Sequence, residues 1–306
     1  MRTHHPHSHF TLLLALLAIW LLLLPGMAGA GVAPVPVPVK TSALNEQTVA
    51  ANADSVLWAQ SGAVSPNHYN VWAQTGAAAP VRLNPPGTRG FAGGIDGTTA
   101  VFQQIDTRQS DLVLWDLNEN TPSPPPTGVN TARWEWAPSL SGTHYLFGRV
   151  GPVLQRVVLF DTSDSSTIVL AQSSSKRHLL SPGQVNGNYA TWTNCGPLTC
   201  NSYVYDIAGA TTTRVPNPLG KPTYSAAVSD DGTIFVVRSG FACGRNVRIL
   251  KWAIGDPSPT TLVSEPANFD VNDTFEFTDL SSVKSVYYDR VDCRTDTWDV
   301  FKIVGV

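Results

Sequence analysis

A turn of small or polar residues, followed five positions later by a large side chain, recurs six times: Ala53 to Trp58, Gly97 to Phe102, Gly142 to Phe147, Gly187 to Trp192, Gly232 to Val237 and Ser282 to Tyr287. The intervals between copies are 44, 45, 45, 45 and 50 residues. A fixed period of this length marks a repeat architecture, in which each unit buries its apolar faces against its neighbours. A second strand follows each copy and often ends in an aromatic residue plus Asp, as in Trp115-Asp116, Phe160-Asp161 and Tyr205-Asp206.

Each unit reads as an inner segment, a tight turn, an apolar strand, a loop, an alternating strand, a second turn and a short final strand such as residues 167–171. Four antiparallel strands in roughly 45 residues make a propeller blade. The expected fold is therefore all-β, a six-bladed β-propeller of four-stranded antiparallel blades over residues 47–306. Composition agrees. Charged residues make up 14%, against about 25% in ordinary globular proteins. With 24 Gly and 23 Pro, the chain favours turns and short strands over Lys/Glu-rich helices. Small residues fill the inner segments (Ala50, Ala51, Ala92, Gly93, Gly94, Ser225, Ala226 and Ala227), where six strands crowd toward one axis.

The sixth unit ends at residues 298–304, one strand short. Residues 31–46 hold the Val/Pro alternation of Val35 to Lys40, and Pro is tolerated on an edge strand. This segment either supplies the missing outer strand and closes the ring, or serves as a polyproline spacer.

Residues 1–30 read as a signal peptide. An apolar core from Phe10 to Leu24 follows Arg2 and stops at Pro25-Gly26, and Ala28-Gly29-Ala30 offers a cleavage site. At ~1.5 Å per residue this core is short for a ~30 Å hydrocarbon layer, so no stable membrane insertion is expected after cleavage. The rival reading is an uncleaved anchor. His4, His5, His7 and His9 leave with the leader. The expected location is secreted, periplasmic or otherwise extracytoplasmic.

The net charge of −3 becomes −4 without residues 1–30, which carry one Arg and no acid. That excludes nucleic acid and anionic membrane as partners, since both need a cationic surface.

The segments Trp136-Ala137-Pro138-Ser139-Leu140-Ser141-Gly142 and Ser225-Ala226-Ala227-Val228-Ser229-Asp230-Asp231-Gly232 each lead into an apolar strand. They resemble the repeat of TolB-type propellers, a WD40-like repeat that sets a Ser-x-Asp-Gly turn before such a strand. The resemblance covers residues 45–304 and implies the fold. No segment is expected to supply the N-terminal α/β domain of TolB, so the TolB partnership with the outer-membrane complex is not carried over.

Catalytic signatures are sparse. Three His remain after the leader, and neither a Gly-x-Ser-x-Gly elbow nor a His-Glu-x-x-His helix is present. No metal and no cofactor are expected. Asp230-Asp231-Gly232 reads as a turn rather than a calcium loop. Glu135 and Glu276 lie on inner segments of opposite units, the one pair that would suit a glycan hydrolase or lyase acting through channel carboxylates.

Basic residues concentrate in the loops after the second strand and in the connections between units, which share one face. Arg89, Lys176, Arg177 and Arg245 mark the expected partner-binding face, suited to a protein or a small anionic ligand. The chain is expected to be a monomer and non-catalytic, with channel-carboxylate catalysis as the alternative. Cys195 and Cys200 flank one hairpin loop, while Cys243 and Cys293 occupy equivalent loops of neighbouring units. The expected disulfides are Cys195–Cys200 and Cys243–Cys293, in keeping with export.

Overall fold

A computed structural model describes residues 34–63, 65, 67–217, 219–239, 246–271, 276–280 and 283–306. The leader and Arg245 lie outside the described residues, as does Cys243. The described chain forms six antiparallel sheets arranged as blades in a ring. Blade one comprises Glu46–Ala51, Ser55–Ser61, Tyr69–Thr75 and Val81–Arg82. Blade two comprises Arg89–Asp96, Thr99–Ile105, Ser110–Asp116 and Thr121–Ser123. Blade three comprises Trp134–Ser141, His144–Val150, Gln155–Asp161 and Ser166–Ser173. Blade four comprises Leu179–Asn186, Tyr189–Cys195, Cys200–Asp206 and Thr211–Arg214. Blade five runs Thr223–Val228, Thr233–Arg238, Arg248–Ala253 and Thr260–Ser264. In blade six the inner strand is split into Phe269–Val271 and Glu276–Leu280, which pair with two halves of the long strand Val283–Asp292.

The N-terminal strand Val37–Lys40 closes the ring, pairing antiparallel with Thr297–Val304 through Val37↔Lys302 and Pro38↔Phe301. It begins two residues later than the Val/Pro alternation. Lys40 anchors it by donating to the Gln74 side chain and by lying 4.3 Å from the centre of the Trp58 ring.

The core is distributed over the blade interfaces. Six apolar clusters are each built from two adjacent blades. Successive residues of the second strand point into opposite interfaces, as strand geometry requires. Phe102 packs toward blade one and Val101 toward blade three. Phe147 packs toward blade two, and Leu146 toward blade four. Both faces are thus covered, which is why these strands read as continuous apolar runs.

The large repeat residue faces the preceding blade in blades one to four. In blade five that place belongs to Val236, not Val237, and in blade six to Tyr288, not Tyr287. The shift in blade five follows from its longer turn, residues 229–232, where blade three uses only Gly142 and Thr143.

Each inner strand of the first five blades carries an irregularity in its pairing, at residues 47–49, 92–94, 136–139, 182–185 and 224–227. The bulges bring neighbouring inner strands together. The Ala92 amide donates to Thr48 Oγ1 at 3.0 Å, Val185 to Ser139 Oγ at 3.2 Å and Val228 to Gln184 Oε1 at 3.0 Å. At the tight turns a second set of links runs from blade to blade. Asn52 Nδ2 donates to the Gly97 carbonyl at 2.7 Å, the Gly142 amide to Asp96 Oδ2 at 2.5 Å and the Gly187 amide to Ser141 Oγ at 3.1 Å. Between blades five and six, Lys284 Nζ meets Asp231 Oδ2 at 2.6 Å. Burial opposes ionisation of Asp231, but Lys284, Ser229 and the Thr233 amide outweigh it and hold this carboxyl well below its ordinary range. The Asp230-Asp231-Gly232 segment is therefore a turn whose carboxylate serves the ring.

Candidate binding groove on the loop face

The loops between second and third strands and the connections between blades share one end of the ring, as the antiparallel meander dictates. At blades three and four, three of these segments surround a groove of about 740 Å³. Residues 151–154 form one wall, closed on themselves by the Gly151 amide donating to the Leu154 carbonyl at 2.8 Å. The connection 174–178 forms another, folded by Ser175 Oγ accepting from the Arg177 amide at 3.2 Å. Gln155 fixes that connection to blade three: its amide nitrogen donates to the His178 carbonyl, and its oxygen accepts from the Leu180 amide at 3.1 Å. The third wall starts at Cys195 and Gly196, where a disulfide joins Cys195 to Cys200. A smaller hollow of about 280 Å³, lined by residues including Leu198, Thr199 and Tyr203, shares His178 and Gly196 with the first.

Lys176 and Arg177 are exposed in the connection and line the groove together. Among the described residues neither makes an ion pair, and no carboxylate lines either hollow. Arg133, a cation that the loop-class reasoning missed, does not line the groove but lies against one residue that does. Its guanidinium lies over Gly151, so close that a Cβ there would come within 2.0 Å of it. A bare glycine opposite an arginine is a contact between distant residues, with no local signal in the sequence.

Arg89 is exposed at the start of blade two's inner strand, away from the residues that line this groove. Three other basic residues of the same loop classes are occupied elsewhere. Arg149 pairs with Glu135 at 2.8 Å, Arg290 reaches Glu265 at 3.5 Å and stacks on Phe301 at 3.7 Å, and Arg294 pairs with Asp292 at 2.9 Å.

Glu135 lies on the inner strand of blade three, as expected, but its residue is fully buried. Its Oε1 accepts from Thr131 Oγ1 at 2.7 Å and from Arg149 Nε, whose guanidinium also donates to the carbonyls of Gly128 and Val129. The carboxyl thus fastens the connection from blade two to blade three. Burial pushes it above the ordinary carboxylate range, against the opposing pull of Thr131 and Arg149. Glu276 falls on the second piece of blade six's inner strand, and its side chain lies outside the described residues. Glu46, two blades before Glu135 at the same point of the repeat, is also buried and is held by Ser42 and Gln60. No cluster of three or more His, Cys, Asp or Glu suited to a metal ion occurs among the described residues. Cys293 is disulfide-bonded.

No protein-family model matches the chain, and no curated protein matches it significantly. The structure defines a six-bladed β-propeller, and solved structures of TolB proteins are similar to it in fold. Putative TolB from Agrobacterium tumefaciens superposes with a TM-score of 0.58 at 11% identity, covering 86% of this chain and 91% of that one. TolB from Acinetobacter baumannii gives 0.53 at 14% identity, covering 82% of this chain. This chain spans 63% of the length of that TolB. The propeller domain of the trilobed protease from Pyrococcus furiosus, described as having an open velcro topology, gives 0.52 at 12% identity, covering 85% and 95%. At these identities the likeness is one of fold.

Proposed function

We propose that this chain is an exported, non-catalytic propeller that holds a partner on its loop face at blades three and four. The observation that carries this reading is the groove in which Lys176 and Arg177 stand exposed without an anionic neighbour. Unsatisfied charge facing a cleft costs little in water and is recovered when a complementary surface arrives. The Cys195–Cys200 disulfide supports an extracytoplasmic location, because such bonds persist in oxidising compartments. Export itself rests on the leader sequence. The alternative, glycan cleavage by paired carboxylates, draws no support from Glu135, which is committed to Arg149 and has no exposed surface.

The test is capture of the partner from the exported fraction, followed by association kinetics against charge-reversed variants. Lys176→Glu and Arg177→Glu should slow association, and raised salt should slow the parent. Asp161→Lys, on the opposite turns, should change little. Kinetics that respond to Asp161→Lys but not to the Lys176 and Arg177 reversals contradict the assignment of the face. Turnover of a glycan that Glu135→Gln abolishes would reinstate the enzymatic alternative.

A further inference from the structure

We infer that the groove between blades three and four receives an extended, acidic segment of a partner polypeptide, an inference that rests on the loop-face reading above. The shape comes first. The two hollows lie side by side with His178 and Gly196 lining both, so together they reach from the 151–154 loop past the disulfide-bonded loop to Tyr203. A compact inorganic ion fills one point of such a depression. An extended chain follows its length.

The lining is of two kinds. Lys176, Arg177 and His178 supply polar lining, and Arg133 lies over Gly151, another lining residue. Val150, Val153, Leu154, Leu179 and Leu198 supply the apolar side. Val153 is 77%, Leu179 56% and Leu198 84% exposed. Single exposed apolar side chains are ordinary, but several gathered round one groove mark an interaction surface. An occupant that covers them while meeting the cations carries carboxylates next to apolar side chains.

The backbone decides between a carboxylate-bearing peptide and a phosphate. Phosphate cradles are built from free amides converging on one point. Here amides of all three loops close their own turns: Gly151 donates to Leu154, His178 to Ser175, Gly196 to Thr199, and Arg177 to Ser175 Oγ. Recognition therefore falls to long cationic side chains that reach separate carboxylates along a chain. The Cys195–Cys200 bond holds one wall in place beforehand, which lowers the ordering cost of binding.

The experiment is fluorescence anisotropy on the purified chain with a fluorescein-labelled peptide alternating Glu with Leu and Val. Its Lys-for-Glu counterpart serves as control and inorganic phosphate as competitor. The acidic peptide should bind, more weakly as salt rises, and the Lys peptide should not. The Lys176→Glu/Arg177→Glu variant should bind at least about tenfold more weakly with an unchanged melting profile. A Cys195→Ser/Cys200→Ser variant, which leaves the bond at Cys293 in place, should also bind more weakly. Equal binding of both peptides, full displacement by phosphate at the peptide's concentration, or parental affinity in the double variant overturns the inference. If the acidic peptide fails to bind while a captured partner still protects residues 150–155 and 173–179, the peptide inference falls and the loop-face reading stands. If neither occurs, both fall.

Discussion

Glu135 and Arg149 face each other across the first two strands of blade three, with Arg149 Nε 2.8 Å from Glu135 Oε1 and both side chains withdrawn from solvent. Sequence spacing puts Glu135 on an inner segment, as a candidate channel carboxylate, and Arg149 in the loop class that carries the basic face. In the structure the two share one task, fastening the connection from blade two to blade three.

Breaking a buried pair from one side strands a charge, at about 3–5 kcal/mol. Arg149→Met should cost that much at neutral pH. A carboxyl already raised by burial rises further once Arg149 is gone. For a raised carboxyl the penalty is present above its folded-state pKa and is relieved as pH falls through it. The deficit of the variant should therefore shrink in urea denaturation as pH is lowered from neutrality toward the ordinary carboxylate range. A constant or growing deficit would show that Glu135 is not the stranded charge.

Gly93 sits where the inner strands of blades two and three touch. A Cβ there would lie 2.6 Å from the Pro138 carbonyl oxygen and 2.6 Å from that of Val101. Gly93→Ala should destabilise by roughly 1–3 kcal/mol through overpacking. Gly142→Ala meets open space, but its φ of +56° makes it cost about 1 kcal/mol by strain alone. Equal, negligible effects in thermal melts would contradict the close approach of the strands.

Deletion of residues 31–40 should lower the melting temperature of the whole domain, because Val37–Lys40 is the outer strand of blade six. An unchanged melting temperature would mean that the pairing with Thr297–Val304 contributes nothing to the ring.

The repeat was legible because its punctuation is local. Gly97, Gly142 and Gly187 mark hairpins at positive φ, and the apolar strands after them keep the fixed period of a repeat architecture. The extra turn residues at 229–232 and the divided inner strand of blade six were not legible, since both depend on pairing rather than on residue type. The same limit applies to charge. Lys176 and Arg177 announced themselves by loop position, but nothing local distinguished them from Arg149 and Arg290, whose partners Glu135 and Glu265 lie 14 and 25 residues away. The groove itself is made by three loops of two blades, a juxtaposition that no single segment encodes.

Non-reducing peptide mapping should return Cys195 joined to Cys200 and Cys293 joined to Cys243. In the chain-entropy account a bond closing the longer interval contributes roughly 4 kcal/mol, and the short loop less. Variants at Cys293 should therefore lose more stability than variants at Cys200. Mixed pairing of Cys195 or Cys200 with Cys293 would contradict the hairpin assignment.

Hydrogen exchange of the chain with and without its captured partner tests the central claim most directly. The account predicts slowed exchange in residues 150–155, 173–179 and 195–200, with the turns at Gly97, Gly142 and Gly187 unchanged. Protection confined to those turns, with the blade three and four loops exchanging as before, would contradict it.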